Sequence, residues 1–117
     1  MKVLIVDDDE SVCNSMSAAL MLAGHSVDYV TDPLRLPPLN AVDVEVLICD
    51  FYFETLTAEN VVSLPGFFSI PNRFLVTGSE LADLPDAVKS SFSACFEKFG
   101  FSQVLKSIDL AAAKQAG

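Results

Sequence analysis

The sequence predicts an α/β fold: five parallel strands alternating with five helices, (βα)5, in a doubly wound sheet of order 2-1-3-4-5. Three observations predict it. Short continuous apolar runs recur at Val3-Leu4-Ile5-Val6, Val46-Leu47-Ile48-Cys49 and Phe74-Leu75-Val76, the pattern of strands buried on both faces of a parallel sheet. Segments with helical apolar spacing lie between them. The chain has 117 residues, 51% of them hydrophobic, enough for one core and too few for two, so residues 1–117 read as a single domain.

Taken in order, strand one is followed by Val12, Met16, Ala19, Leu20 and Ala23 at helical spacing, with Gly24 as the stop. Val27-Asp28-Tyr29-Val30 is more mixed and reads as an edge strand. Asp32-Pro33 supplies a cap and first helical position, but Pro37-Pro38 must cut that helix to a turn or two. After the third strand, Thr57 caps a short helix that runs through Leu64 and ends at Pro65-Gly66. Beyond the fourth strand, Pro85 starts a helix that reaches about Ser91. Ala94-Cys95-Phe96 is the weakest strand of the five. Phe101, Val104, Leu105, Ile108, Ala111 and Ala112 then form a clear helical stripe.

Composition excludes several classes of function. The formal net charge is −9, with Lys and Arg together only 7 residues, which argues against direct nucleic-acid binding and suits a cation site or a basic protein partner. No apolar run approaches the ~20 residues needed to span a bilayer, so no membrane association is expected. The opening residues enter a strand without signal-peptide features, from which a cytoplasmic location is expected. Cys13, Cys49 and Cys95 are widely spaced and read as small buried thiols, neither disulfide framework nor zinc site. His25, in a Gly24-His25-Ser26 turn with no partner nearby in sequence, reads as a surface turn residue. Phe92, Phe96, Phe99 and Phe101 read chiefly as core.

In open α/β sheets ligands bind beyond the carboxyl ends of the strands. Strand one ends in Asp7-Asp8-Asp9-Glu10, strand three in Asp50, strand four in Thr77-Gly78, and strand five just before Lys98. Asp7, Asp8 and Asp50 would crowd carboxylates on one edge, and such crowding calls for a hard divalent cation such as Mg2+ or Mn2+. Lys98 adds a fixed positive charge, and Thr77 a hydroxyl able to hydrogen-bond a phosphoryl oxygen. A cation, an ammonium, a hydroxyl and a carboxylate nucleophile are the parts that phosphoryl transfer requires. Asp9 and Glu10 need be no more than acidic residues at a helix N-terminus.

The opening Val3-Leu4-Ile5-Val6-Asp7-Asp8, followed in order by Asp50, Thr77 and Lys98, resembles the response-regulator receiver domains of two-component systems, which have the flavodoxin-like CheY fold. The resemblance covers essentially the whole chain. It implies that Asp50 accepts a phosphoryl group, with Thr77 as switch hydroxyl and Lys98 as the family's lysine. It further implies Mg2+ held by Asp7, Asp8, Asp50 and the backbone carbonyl of Tyr52. The donor would be a sensor histidine kinase or a histidine phosphotransfer protein, and the output a downstream protein or effector domain. Such a domain is not an enzyme in the usual sense, since it catalyses only its own phosphorylation and dephosphorylation. Two departures from the family pattern concern the output: Phe99 replaces the usual proline after the lysine, and Cys95 holds the usual aromatic switch position, with Phe96 one step late.

Two rival functions share these residues. Asp7-Asp8-Asp9-Glu10-Ser11 also resembles the nucleophile motif of haloacid-dehalogenase-type phosphatases, but only Asp109 follows Lys98 to complete their metal site, and Asp50 is left without a role. The other rival is a receiver-like interaction module that docks a partner without being phosphorylated.

Overall fold

A computed structural model of the chain describes residues 1–36, 38–39, 43–51, 53, 57–78, 80–97 and 101–116. Five parallel strands form one sheet: β1 (Lys2–Val6), β2 (Ser26–Val30), β3 (Val46–Cys49), β4 (Asn72–Thr77) and β5 (Ala94–Glu97), in the order β2-β1-β3-β4-β5. The order is the one expected. It follows from right-handed crossovers that place successive connections on both faces of the sheet.

The α-helices among the described residues are α1 (Glu10–Leu22), α2 (Ala58–Val62), α3 (Asp86–Ser91) and α4 (Phe101–Ala116). Between β2 and β3 the described residues hold a 3-10 turn, Pro33–Arg35, in place of an α-helix. Asp32 caps it by accepting from the Leu34 N–H at 3.0 Å, and proline fits at its start because its missing N–H would have no partner there.

Alternation along each strand divides the core into two layers. Leu4, Val6, Leu47, Cys49 and Leu75 pack on one face with Ala58 and Val61 of α2 and Val88 of α3. Val3, Ile5, Val46, Ile48, Phe74 and Val76 pack on the other with Cys13, Met16 and Leu20 of α1 and Val104 and Ile108 of α4. Each of these strand interiors is buried on both sides, which is why the apolar runs are continuous.

The helix ends are set locally. Asp9 caps α1, accepting from the Ser11 and Val12 N–H groups at 3.0 and 3.3 Å. Gly24, at φ 93°, closes it: the Gly24 N–H reaches the Met21 carbonyl (3.0 Å) and the His25 N–H the Leu20 carbonyl (3.1 Å), the two bonds of a Schellman motif. Thr57 and Asn60 form a reciprocal capping box at α2. α3 begins directly after Pro85 and ends at Ser91.

His25 departs from its expected role. Its side chain is only 6% exposed; Nδ1 lies 3.1 Å from the Met1 amino group and Nε2 lies 3.5 Å from Asp109 of α4. The turn residue thus ties the start of β1 to the last helix. Phe92 is buried, while Phe96 of β5 and Phe101, the first residue of α4, are partly buried against the second core layer; Phe99 lies outside the described residues.

Candidate functional site

β1 and β3 are neighbours in the sheet, paired Val3↔Val46 through Val6↔Cys49. The residues that follow each, Asp7 and Asp50, therefore emerge side by side at the carboxyl edge. The Asp50 N–H continues the ladder to the Val6 carbonyl at 2.9 Å, and the Asp7 N–H reaches the Val30 carbonyl of β2 at 3.2 Å. Both aspartates are held by sheet hydrogen bonds through their own backbone.

Burial separates the acidic residues. Asp7 is 1% exposed and Asp50 6%, whereas Asp8 is open to solvent. One carboxylate oxygen from each lies within 4.8 Å of the other two. Asp7 Oδ1 accepts the Asp9 N–H at 3.0 Å and Asp50 Oδ1 the Phe51 N–H at 2.8 Å. These bonds fix the carboxylates, yet three such groups at this separation still repel. Their donor set is all hard oxygen, which fits Mg2+ and not a thiophilic metal. Asp9, by contrast, turns its carboxylate to the α1 N-terminus, where it also accepts from Ser11 Oγ at 2.7 Å.

Thr77 ends β4, the strand next to β3, and is fully buried. Its place on the same carboxyl edge as Asp50 agrees with the strand-end reading. Lys98 and Tyr52, also assigned to the site from sequence, lie outside the described residues.

Two thiols underlie the edge, and sequence gave no sign of their contacts. Cys13 Sγ donates to the Asp7 carbonyl at 3.3 Å and Cys49 Sγ to the Asp50 carbonyl at 3.1 Å. Burial, reinforced by the Asp7 charge, pushes the Cys13 thiol up to about 11. Burial, followed by the charges of Asp50 and Asp7, pushes Cys49 well above the ordinary thiol value. Both remain neutral hydrogen-bond donors at physiological pH and so add no further negative charge beneath the carboxylates.

Beside the site, β4 and β5 pair in unbroken register, Phe74↔Ala94 through Thr77↔Glu97. Cys95 consequently shares a face with Leu75, among the residues packed under α2 and α3. Phe96 lies on the opposite face, its ring 5.9 Å from that of Phe74 in a T-shaped contact. No bulge or one-residue slip brings Phe96 to the Thr77 side.

No protein-family model matches the sequence, and no curated protein matches it. Solved structures do. The receiver domain of the Francisella response regulator 1452 superposes with a TM-score of 0.80 at 14% identity, covering 97% of this chain and 98% of its own. Response regulator TrrA of Thermotoga maritima, solved in complex with Mg2+ and BeF, gives 0.75 at 15% identity over 92% of this chain and 96% of its own. A CheY-like receiver domain protein of Methanospirillum hungatei gives 0.73 at 15% identity, over 99% and 98%. At such identities the likeness establishes the fold, which is that of the CheY-like receivers.

Proposed function

We propose that this chain is a phosphoacceptor: a single receiver domain over residues 1–117 whose Asp50 takes a phosphoryl group and passes the signal on by a change in conformation. The observation that carries the reading is the convergence of Asp7, Asp8 and Asp50 on one point of the carboxyl edge, in a fold shared with receivers. A TrrA structure with Mg2+ and BeF at 0.75 TM-score supports it.

Asp7, Asp8 and Asp50 would hold the cation, with Tyr52 contributing its carbonyl on the sequence reading. When bound, Mg2+ supplies charge neutralisation that lets an anionic phosphoryl group approach. The remaining steps belong to the chain. An Asp50 carboxylate oxygen attacks phosphorus; the bond from phosphorus to a histidine nitrogen, or to the carboxyl oxygen of acetyl phosphate, breaks, and the donor leaves with the electron pair. Burial keeps bulk water from the Asp50 carboxylate, and the Phe51 N–H orients it through Oδ1. Thr77 offers a hydroxyl and Lys98 an ammonium to the transferred oxygens. The partners on this reading are a histidine kinase or phosphotransfer protein upstream and an effector domain or protein downstream.

Intact-mass measurement after incubation with acetyl phosphate and Mg2+ tests the assignment. The expected result is one phosphoryl group on the wild type and none on Asp50→Asn or in EDTA. Stoichiometric labelling of Asp50→Asn, or labelling indifferent to EDTA, overturns it.

A second reading has its own observation. With Cys95 and Phe96 on opposite faces and Glu97 beside Thr77, the aromatic route from site to surface is absent from the described residues. That favours a receiver-fold docking module with weak dependence on phosphorylation. Phosphatase chemistry on Asp7 gains nothing: Asp109, the acid it would need, pairs with His25, whose other ring nitrogen meets the Met1 amino group at the amino end of the sheet, opposite the cluster.

A further inference from the structure

We infer that the outer edge of β2 is a docking site for an extended cationic segment of a partner protein, one in which apolar and basic residues alternate.

β2 is the outer strand on its side of the sheet. Its inner edge is settled: the Ser26 N–H bonds to the Met1 carbonyl at 3.1 Å and the Val30 carbonyl accepts from Asp7 at 3.2 Å. In a parallel ladder alternate residues turn both backbone groups to the same neighbour. Ser26, Asp28 and Val30 therefore face β1, and Val27 and Tyr29 turn their N–H and C=O groups outward. All five residues pair in register with β1, so the strand has no bulge, and it contains neither lysine nor proline. Bulges, lysine and proline are among the devices by which exposed edges are ordinarily kept from pairing, and the one charge that this strand carries is Asp28.

The two flanks of this edge differ, and together they specify the occupant. On the α1 side, Val27 and Tyr29 line a groove with Ala18, Met21 and Leu22; Met21 is 61% and Leu22 90% exposed. On the other side the 3-10 turn that stands in place of a helix leaves Asp28 exposed. An added strand would set every second side chain into the apolar groove and the intervening ones against Asp28. Glu10, which accepts from the Tyr29 hydroxyl at 3.3 Å, adds a carboxylate at the groove's end. Arg35, the nearby cation on the turn, is drawn to Asp32 at 3.8 Å. Hydrogen-bond pattern, apolar groove and negative charge are met together by alternating basic and apolar residues. A second copy of this chain fits poorly, since each brings a net charge of −9.

A short capped peptide alternating lysine with valine is the probe. Its partner in the experiment is a peptide of identical composition with the lysines and valines in separate blocks. Binding to the full chain is followed by fluorescence anisotropy, and the site by amide hydrogen exchange. The alternating peptide should bind saturably and protect the Val27 and Tyr29 amides, with the block peptide about tenfold weaker. Asp28→Lys should weaken binding about tenfold. Val27→Pro should abolish it, because that N–H faces outward and its loss spares the ladder to β1. Asp50→Asn should leave it unchanged, which separates this edge from the phosphoacceptor reading. Equal binding of the two peptides, full affinity in Asp28→Lys, or protection that falls elsewhere overturns the inference. So does dimerisation through β2 in sedimentation without peptide. If Val27→Pro fails to fold, Asp28→Lys and the exchange pattern still decide.

Discussion

Replacing Asp50 by asparagine should stabilise the metal-free protein while removing the group on which the proposed chemistry depends. Asp7 and Asp50 are 1% and 6% exposed, and with Asp8 they bring ligand oxygens within 4.8 Å of one another. Two unit charges at that separation repel by about 3.5 kcal/mol at an effective dielectric of about 20. The Phe51 N–H at 2.8 Å and the Asp9 N–H at 3.0 Å offset part of this. Asparagine is nearly isosteric and keeps an oxygen for the Phe51 N–H, so the variant should gain about 1–2 kcal/mol in EDTA. Magnesium should work the other way. At ten times its dissociation constant a ligand adds about 1.4 kcal/mol to the form that binds it, and the variant has lost one of three carboxylates. The assay is urea unfolding by circular dichroism at low ionic strength, for both proteins, in EDTA and in Mg2+. The variant's advantage in EDTA should shrink or reverse in Mg2+. A variant less stable than wild type in EDTA would mean that the Asp50 charge is a net asset to the fold. Equal Mg2+ increments for both proteins would mean that the cation binds elsewhere.

Other outcomes follow from the same geometry. Cys13 and Cys49, both with raised pKa, should resist a thiol reagent at pH 8 in the native protein and react in urea; native labelling of either would contradict their burial. The unfolded chain releases these thiol protons first, so stability should be constant below the unfolded thiol value of 9.0 and decline as pH rises toward the Cys13 value of about 11. A flat urea midpoint across that window would exclude the linkage. Phe67→Ala should cost about 3–5 kcal/mol, because Phe67 is fully buried against Phe92 and beneath Arg73; a loss below about 1 kcal/mol would show that the site collapses. Beryllofluoride should shift backbone NMR signals mainly in the loops around Asp50. Large shifts throughout α3 and β5 that survive Phe96→Ala would refute the weak linkage expected from Cys95.

The sequence was most legible where burial is two-sided. The apolar runs at β1, β3 and β4, with helical segments between them, read as strands buried on both faces of a parallel sheet, and parallel strands put Asp7, Asp50 and Thr77 at one edge. β5 was harder to read because its residues are only partly buried, which blurs an apolar run. The second connection was read as a helix cut short by Pro37-Pro38, and its described residues include a 3-10 turn at Pro33–Arg35. His25 was misread for a definite reason. Its partners, Met1 and Asp109, are 24 and 84 residues away, and no local pattern encodes a contact made by packing the chain's two ends together. The sulfur contacts beneath the carboxylates escaped notice likewise: Cys49 next to Asp50 and Cys13 six residues past Asp7 carry no periodic signal.

A phosphoryl group at Asp50 can be sensed at a distance only through a neighbour that has two arrangements and prefers one of them when the group is present. Thr77 is the candidate neighbour, and its surroundings are fixed by register. On its own face the adjacent strand offers Glu97 directly beside it and Cys95 one pair before. Neither is an aromatic ring able to fill space that a moving hydroxyl vacates. The ring that β5 carries, Phe96, is packed against Phe74 in the layer under α4, and crossing to the other face would require a slip that reverses every side chain of β5. A phosphoryl group at Asp50 and the Glu97 carboxylate beside Thr77 carry like charge, so among the described residues electrostatics and not ring packing is the force left to couple site and surface. Charge acts over a distance set by salt, about 10 Å at 0.1 M. Any phosphorylation response of this chain should therefore weaken as ionic strength rises, whereas a response geared by ring packing would persist.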